Sequence, residues 1–458
     1  MISEPSMSSS TTKNTDVPHS GSYAYRVCAI AALAGLLFGF DIAVINGALV
    51  FLRDQFHLSD FSTELAASSL LAGCIAGALI AGWLSDRYGR RSVLAASGLL
   101  FAVSSVGAAL PRNFIEFGIA RFAGGIAIGI ASMLAPLYMA EVSPARIRGR
   151  LVSLNQMAIV TGILFAYLVN WSLSFQGQSG WRWMFAIAVL PSLGLFIGLF
   201  FVPESPRWLV ERKRIPEALD VLKKIEGRNA EAQLAMIQNS VLAESGTFSD
   251  LLAPALHRPL FLAVALAILQ QITGINTVLF YGSVIWERQL GSSSHSTAIG
   301  ANVTIGLINF LATIVALWLI DRLGRRPLLM FSSGCMAVCQ LLLGIAFLLP
   351  SPPALLVLGC MLLCVAVFAV GLGPGAWVLM AELFPTRVRG RAMSVANTAL
   401  WIASFVLTAT FLSLAHAITI TGAFCVYSVM CVLTFLLVQK LIPETKGKSL
   451  EEIEQLWM

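Results

Sequence analysis

Asp86-Arg87-Tyr88-Gly89-Arg90-Arg91 returns 235 positions later as Asp321-Arg322-Leu323-Gly324-Arg325-Arg326. Glu141, followed by Arg148-Gly149-Arg150, returns 241 positions on as Glu382, followed by Arg389-Gly390-Arg391. Pro203-Glu204 returns as Pro443-Glu444 after 240. The stretches between these islands are almost wholly apolar. A charged pattern written twice at nearly one offset is what a duplicated membrane bundle leaves in a sequence, and such bundles move solutes.

Composition agrees. Hydrophobic residues make up 57% of the 458 and charged residues 12%, about half the charged share of a soluble domain. The mean hydropathy is +0.81. A net charge of +6 does not imply a nucleic-acid partner, because the basic residues sort by loop. With the N-terminus placed in the cytoplasm, 25 of the 30 Lys and Arg face inward. Arg53, Arg112, Arg182 and Arg288 face out, and Arg121 lies inside a span. The positive-inside rule therefore puts both termini in the cytoplasm of a multi-pass cell-membrane protein, in contact with lipid. The eight cysteines lie in or beside apolar runs without polar companions, so they read as packing residues and not as metal ligands.

Twelve apolar stretches fall near 24–51, 63–85, 92–110, 113–140, 151–172, 181–202, 257–286, 296–320, 327–349, 353–381, 392–414 and 418–440. Each approaches or exceeds the ~20 residues a helix needs to cross a bilayer, and only a helix satisfies its own backbone there. The expected organisation is a disordered polar tail (1–23), a six-helix bundle (24–202), a cytoplasmic linker with amphipathic helices (203–256), a second six-helix bundle (257–440) and a short cytoplasmic tail (441–458) ending in a helical turn or two. No cleavable leader is expected, since the first apolar run is too long for one. Gly35/Gly39, Gly73/Gly77 and Gly125/Gly129 mark close helix crossings. Gly371-Leu372-Gly373-Pro374-Gly375 should break the tenth span beside a binding site.

Two charges lie within spans: Asp41 in the first and Arg121 in the fourth. Each is costly there and should find the other. A carboxylate that alternates between a guanidinium neighbour and a desolvated site would load and release a proton; the plainer alternative is a static ion pair. The islands at Asp86, Arg90, Glu141, Arg150, Glu204, Asp321, Arg325, Glu382 and Arg391 read as an inter-helix salt-bridge latch at the cytoplasmic gate. Topology signals alone would explain the arginines but not the repeated acids. Gln156, Gln270, Gln271, Asn276, Asn309, Trp377, Asn397 and Trp401 sit on inner spans. Amides match the hydroxyls of a neutral polyol, and indoles pack on its C–H faces. Nothing in the set suggests an enzyme or a cofactor.

In Gly82–Arg91, Arg121 with Gly124-Gly125, Pro203-Glu204-Ser205-Pro206-Arg207, Gln270-Gln271 through Asn276, and Pro443-Glu444-Thr445-Lys446-Gly447, the chain resembles the sugar porter family of the major facilitator superfamily over about 24–454. Ala131–Pro136 and Gly373–Trp377 look like bacterial pentose and hexose proton symporters. The resemblance implies an all-α membrane protein of the major facilitator fold, twelve transmembrane helices in two pseudo-symmetric six-helix bundles. It implies a proton-coupled monosaccharide symporter working by alternating access as a monomer. Sugar contacts would come from Gln156, Gln270, Gln271, Asn276 and Trp377, with Phe38 and Trp401 as walls and Asn309 joining. Asp41 would carry the proton, paired with Arg121. Two positions depart from some proton-coupled members: Ala188 stands where a second carboxylate can occur, and Leu400 where a glutamine can. A passive facilitator and a transporter-like sugar sensor are the alternatives. Passive members commonly hold a neutral residue at position 41, and sensors usually need a longer cytoplasmic tail.

Overall fold

The computed structural model describes residues 19–144, 146–243, 251, 253–290, 295–384 and 386–446. The polar tail up to residue 18 and the helical turn expected after 446 lie outside them. Among the described residues the regular elements are helices. Ten continuous runs are long and apolar enough to cross a membrane, and two of them, Arg148–Phe201 and Val388–Leu441, are 54 residues long. Each of those two holds two crossings, because a run of that length is more than twice what a bilayer needs. A 3-10 stretch at Ser174–Ser179, with Gly177 at φ 72°, divides the first. A kink at Ile418 and Thr419 divides the second. The result is twelve crossings, six on either side of the linker.

The first half comprises spans His19–Phe56, Asp60–Tyr88, Arg90–Ala109, Phe114–Glu141 and Arg148–Leu173, and a sixth made of Gly180–Ala186 and Val189–Gly198. In the second half the seventh span is Pro254–Ile272 continued by Ile275–Leu290. The eighth is His295–Leu323 and the ninth Arg325–Ala346. The tenth is Ala354–Val370 continued by Leu372–Glu382, and Thr386–Leu441 carries the last two. Between the halves, helices Pro206–Glu211, Ile215–Glu226 and Ala230–Ala243 form the linker. In the second of these Ala218, Val221, Leu222 and Ile225 are buried, the apolar face expected of an amphipathic helix.

The duplication is visible in the packing. The second span lies on the fourth, and the eighth on the tenth. The glycine pairs explain how closely the second and fourth approach. A Cβ on Gly73 would sit 2.0 Å from the carbonyl oxygen of Phe122, and one on Gly125 would sit 1.9 Å from that of Leu70. Backbone meets backbone, so only glycine fits.

The charged islands form one end of the molecule, called here the island end; the opposite end is the far end. Both Asp-Arg-X-Gly-Arg-Arg islands make the same turn. Gly89 and Gly324 each adopt φ 94°, a left-handed value that glycine tolerates. Beside each glycine lies the glutamate of the Pro-Glu repeat. Glu204 accepts the backbone N–H of Arg91 at 3.0 Å and of Ser205 at 2.8 Å. Glu444 accepts those of Arg325 and Arg326, both at 3.1 Å, and of Thr445 and Lys446. A carboxylate at a helix N-terminus satisfies donors that the helix itself leaves open. Each half is thus stapled from its last span onto its third.

Candidate functional site

Asp41 and Arg121 meet inside the first half. Asp41 is 6% exposed and Arg121 1%. One guanidinium nitrogen, Nη1, donates to Asp41 Oδ1, and Nη2 donates to the Asp41 backbone carbonyl at 3.0 Å. The guanidinium lies 5.3 Å from the centroid of the Phe185 ring. Gly124 faces the pair: a Cβ there would stand 2.4 Å from Ser104 Oγ and 3.3 Å from Asp41 Oδ2. Two buried opposite charges held by two hydrogen bonds, with an aromatic face behind the cation, form a stable unit only while both stay charged.

A second polar group gathers where the seventh span breaks. Its first piece ends at Ile272 and the second begins at Ile275, with Gly274 between them at φ 86°. Gln270 and Gln271 precede the break, and Asn276 follows it. Asn276 Nδ2 donates to Gln271 Oε1 at 2.7 Å and to Ser404 Oγ at 2.9 Å. Gln271 Nε2 donates to Gln270 Oε1 at 3.4 Å. Gln270 Nε2 turns instead to the tenth span, donating to the carbonyls of Leu372 at 2.7 Å and Gly373 at 3.2 Å. The tenth span is itself broken at Gly371, the position the glycine-rich run suggested. Phe38 from the first half and Trp401 from the second meet edge to face at 5.6 Å.

Asn397, Trp401, Ser404 and Thr408 recur at helical spacing on the eleventh span. Ser404 bonds Asn276, and the Thr408 carbonyl accepts from Tyr281 Oη at 2.6 Å. Asn397 Oδ1 and Trp401 Nε1 are buried and have no partner within the described protein. Gln156 and Trp377 are half-buried and Asn309 is buried. Among the described residues no hydrogen bond or ring contact joins these three to the amide cluster. Leu400 and Ala188 are buried apolar positions.

The charged islands pair within each half. Arg90, at the head of the third span, lies 3.3 Å from Glu141 at the foot of the fourth, 3.6 Å from Asp86 and 3.5 Å from Glu211 of the linker. Arg325 repeats this with Glu382 at 3.1 Å. These contacts tie the helices of one half together. Glu204 caps backbone N–H groups, as described above. Arg150 is exposed and pairs with no acid among the described residues; Arg391 is half-buried. The side chain of Asp321 lies outside the described set.

Among the described residues a set of hydrogen bonds joins the halves at the far end, and sequence reading did not find it. Glu64, at the start of the second span, is 1% exposed. Its carboxylate accepts the Ser413 N–H at 2.7 Å and pairs with the Ser413 hydroxyl at 2.6 Å. One turn outward Asp60 meets His416 at 2.5 Å. From the first span Asn46 donates to the Leu279 carbonyl at 2.8 Å and accepts the Ser283 N–H at 2.9 Å. Tyr167 of the fifth also donates to Leu279 O, at 3.2 Å. The far end is therefore laced shut across the two halves. A buried acid so early in an apolar run was the available signal for Glu64; its partner 349 residues away carried none.

Comparison with known proteins gives one answer. Residues 27–457 match the family model described as sugar (and other) transporter. An arabinose-proton symporter of Bacillus subtilis is 36% identical over 448 residues, covering 96% of both chains. A D-xylose-proton symporter of Escherichia coli is 38% identical over 96% of both, and a major myo-inositol transporter of Bacillus subtilis is 39% identical over 95% of this chain and 94% of its own. The solved structure of the proton:xylose symporter XylE bound to 6-bromo-6-deoxy-D-glucose superposes with a TM-score of 0.84 at 37% identity, covering 96% of this chain and all of that one. With a matched model over nearly its whole length and relatives of this similarity from end to end, the chain belongs to the sugar transporter family of the major facilitator superfamily: it is a multi-pass membrane transporter and not an enzyme.

Proposed function

We propose that the protein imports a neutral pentose or hexose together with a proton, as a monomer, by rocking its two halves about a central site. The island end, with both termini, faces the cytoplasm, as the distribution of Lys and Arg supports. The laced far end is then the outer side, closed in this conformation. Gln271, Asn276, Gln270 and Trp401, with Phe38 as a wall, bind the sugar. Gln156, Asn309 and Trp377 complete the contacts when the halves close on it. The unpartnered Trp401 Nε1 and Asn397 Oδ1 supply a donor and an acceptor suited to hydroxyls.

The observation that carries the reading is the buried Asp41–Arg121 pair. When the first half tilts and the pair loosens, the carboxylate loses its counter-charge in a poorly solvated setting and takes up a proton. One proton crossing 100 mV supplies about 2.3 kcal/mol, enough for roughly fifty-fold accumulation of sugar. The relatives named above as arabinose- and xylose-proton symporters support the same coupling.

Proteoliposomes test it. The Asp41→Asn variant should keep sugar counterflow and lose uphill uptake. Concentrative uptake by that variant would refute the proton role of Asp41. A wild type that exchanges sugar without alkalinising a de-energised vesicle would make it a passive facilitator.

A further inference from the structure

The ninth span carries none of the groups assigned to the sugar or the proton, yet it holds three fully buried polar side chains, Ser332, Ser333 and Gln340, all 0% exposed. Ser333 donates to the Leu329 carbonyl of its own helix at 2.7 Å; the other two reach beyond it. Each is spent on the backbone of a broken helix. Gln340 Nε2 donates to the carbonyl of Thr273 at 2.7 Å, at the break of the seventh span. Ser332 Oγ donates to the carbonyl of Val367 at 2.7 Å and accepts the N–H of Leu372 at 3.2 Å, bracketing the break of the tenth.

The fit is close on both sides. A Cβ on Gly274 would lie 2.7 Å from Gln340 Nε2, and one on Gly371 would lie 2.5 Å from Ser332 Cβ. Eight residues separate the two props, about 12 Å along the helix axis. Gln270 closes the circuit, since it leaves the seventh span just before the break and donates to Leu372 and Gly373 just after the other. Gln340 also leaves its own Oε1 buried without a partner. An apolar residue would avoid that penalty, so the bond to Thr273 is what favours an amide there.

We propose that Ser332 and Gln340 are positioning residues: the ninth span is a strut that fixes the spacing of the two helix breaks, and through them the placement of Gln270, Gln271 and Asn276 around the sugar. The inference rests on the sugar-binding role given to those amides above. The strut acts through them and does not touch the sugar.

The test compares Ser332→Ala, Ser332→Thr, Gln340→Met and the Ala/Met double variant with the wild type in proteoliposomes. Each single loss should raise the half-saturation for counterflow about five-fold while the amount of folded carrier is kept, and Ser332→Thr should restore it. The double variant should cost less than the product of the singles, because opening the circuit once removes most of its effect. Hydrogen exchange read by mass spectrometry gives a measure independent of substrate. Gln340→Met should speed exchange at 371–375, which Gln340 does not touch, as well as at 273–276. If half-saturation stays at the wild-type value, or if faster exchange is confined to the break that each side chain contacts, the strut is wrong. A wild type that exchanges no sugar would sink the functional reading instead, and the exchange pattern would still decide the strut. Should Gln340→Met fail to fold, Ser332→Ala with exchange read at 273–276 decides alone.

Discussion

Replacing Glu64 should open the far end. Its carboxylate receives two hydrogen bonds from Ser413 across the interface between halves, and at 1% exposure no solvent competes for them. Bonds to a charged group contribute about 1.5–3 kcal/mol each net of water. Taking the lower figure, Glu64→Ala weakens closure by about 3 kcal/mol, a shift of roughly 150-fold in the ratio of open to closed. A far-end-open state populated at about 1% would then hold more than half of the molecules. Glu64→Gln keeps one acceptor for the Ser413 N–H and should move the ratio about ten-fold. His416 is largely exposed, so His416→Ala should change it within about three-fold. Leu110 and Leu348, at the far ends of the third and ninth spans, are each 69% exposed. Spin labels on cysteines placed there report the separation of the halves by electron paramagnetic resonance. The expected order of the longer-distance population is Ala above Gln above the histidine variant. A Glu64→Ala distance distribution equal to wild type, or an effect no larger than that of His416→Ala, would refute the clamp.

Two further outcomes bear on stability. Gly125→Ala forces a methyl against the Leu70 carbonyl and should cost about 3 kcal/mol, read as a lower melting temperature in detergent. Gly118→Ala meets nothing within 4 Å and should melt as wild type. Arg90→Met strands the buried Glu141 without its partner and should lose about 3–5 kcal/mol, whereas Glu217→Ala, which frees an exposed pair with Arg214, should leave the melting temperature unchanged.

The spans were legible because their signal is local: length, hydropathy and the charged residues that bound them. The tenth-span break was legible as well, since glycine and proline together have few other uses in a lipid-facing run. The break in the seventh span was not. Gln270-Gln271-Ile272-Thr273-Gly274 contains a single glycine, and what packs against the break comes from other helices: Gln340, and Tyr427, whose ring would stand 2.5 Å from a Cβ on Gly274. The same limit applies to Gln270. Its residue type suggested a ligand contact, but where its amide goes depends on the neighbouring helix, and it goes to the tenth-span backbone. The far-end clamp escaped for the opposite reason. Glu64 lies in the second turn of its helix, at the edge of an apolar run, and only the folded chain brings Ser413 to it. For the islands the spacing was informative and the partners were not: Arg90 with Glu141 and Arg325 with Glu382 pair inside one half, a choice that repetition alone could not make.

The two Pro-Glu staples have a consequence for how such a protein could arise. Glu204 and Glu444 each finish a six-helix unit by seating its last strand of chain on the head of its own third helix, so neither unit borrows a closing contact from the other. A gene encoding one unit would already specify a folded object with a greasy face, able to pair side by side with a copy of itself in the same orientation in the bilayer. Joining two copies end to end would add a tether and let the two faces diverge, one toward the hydrogen ion and one toward the sugar.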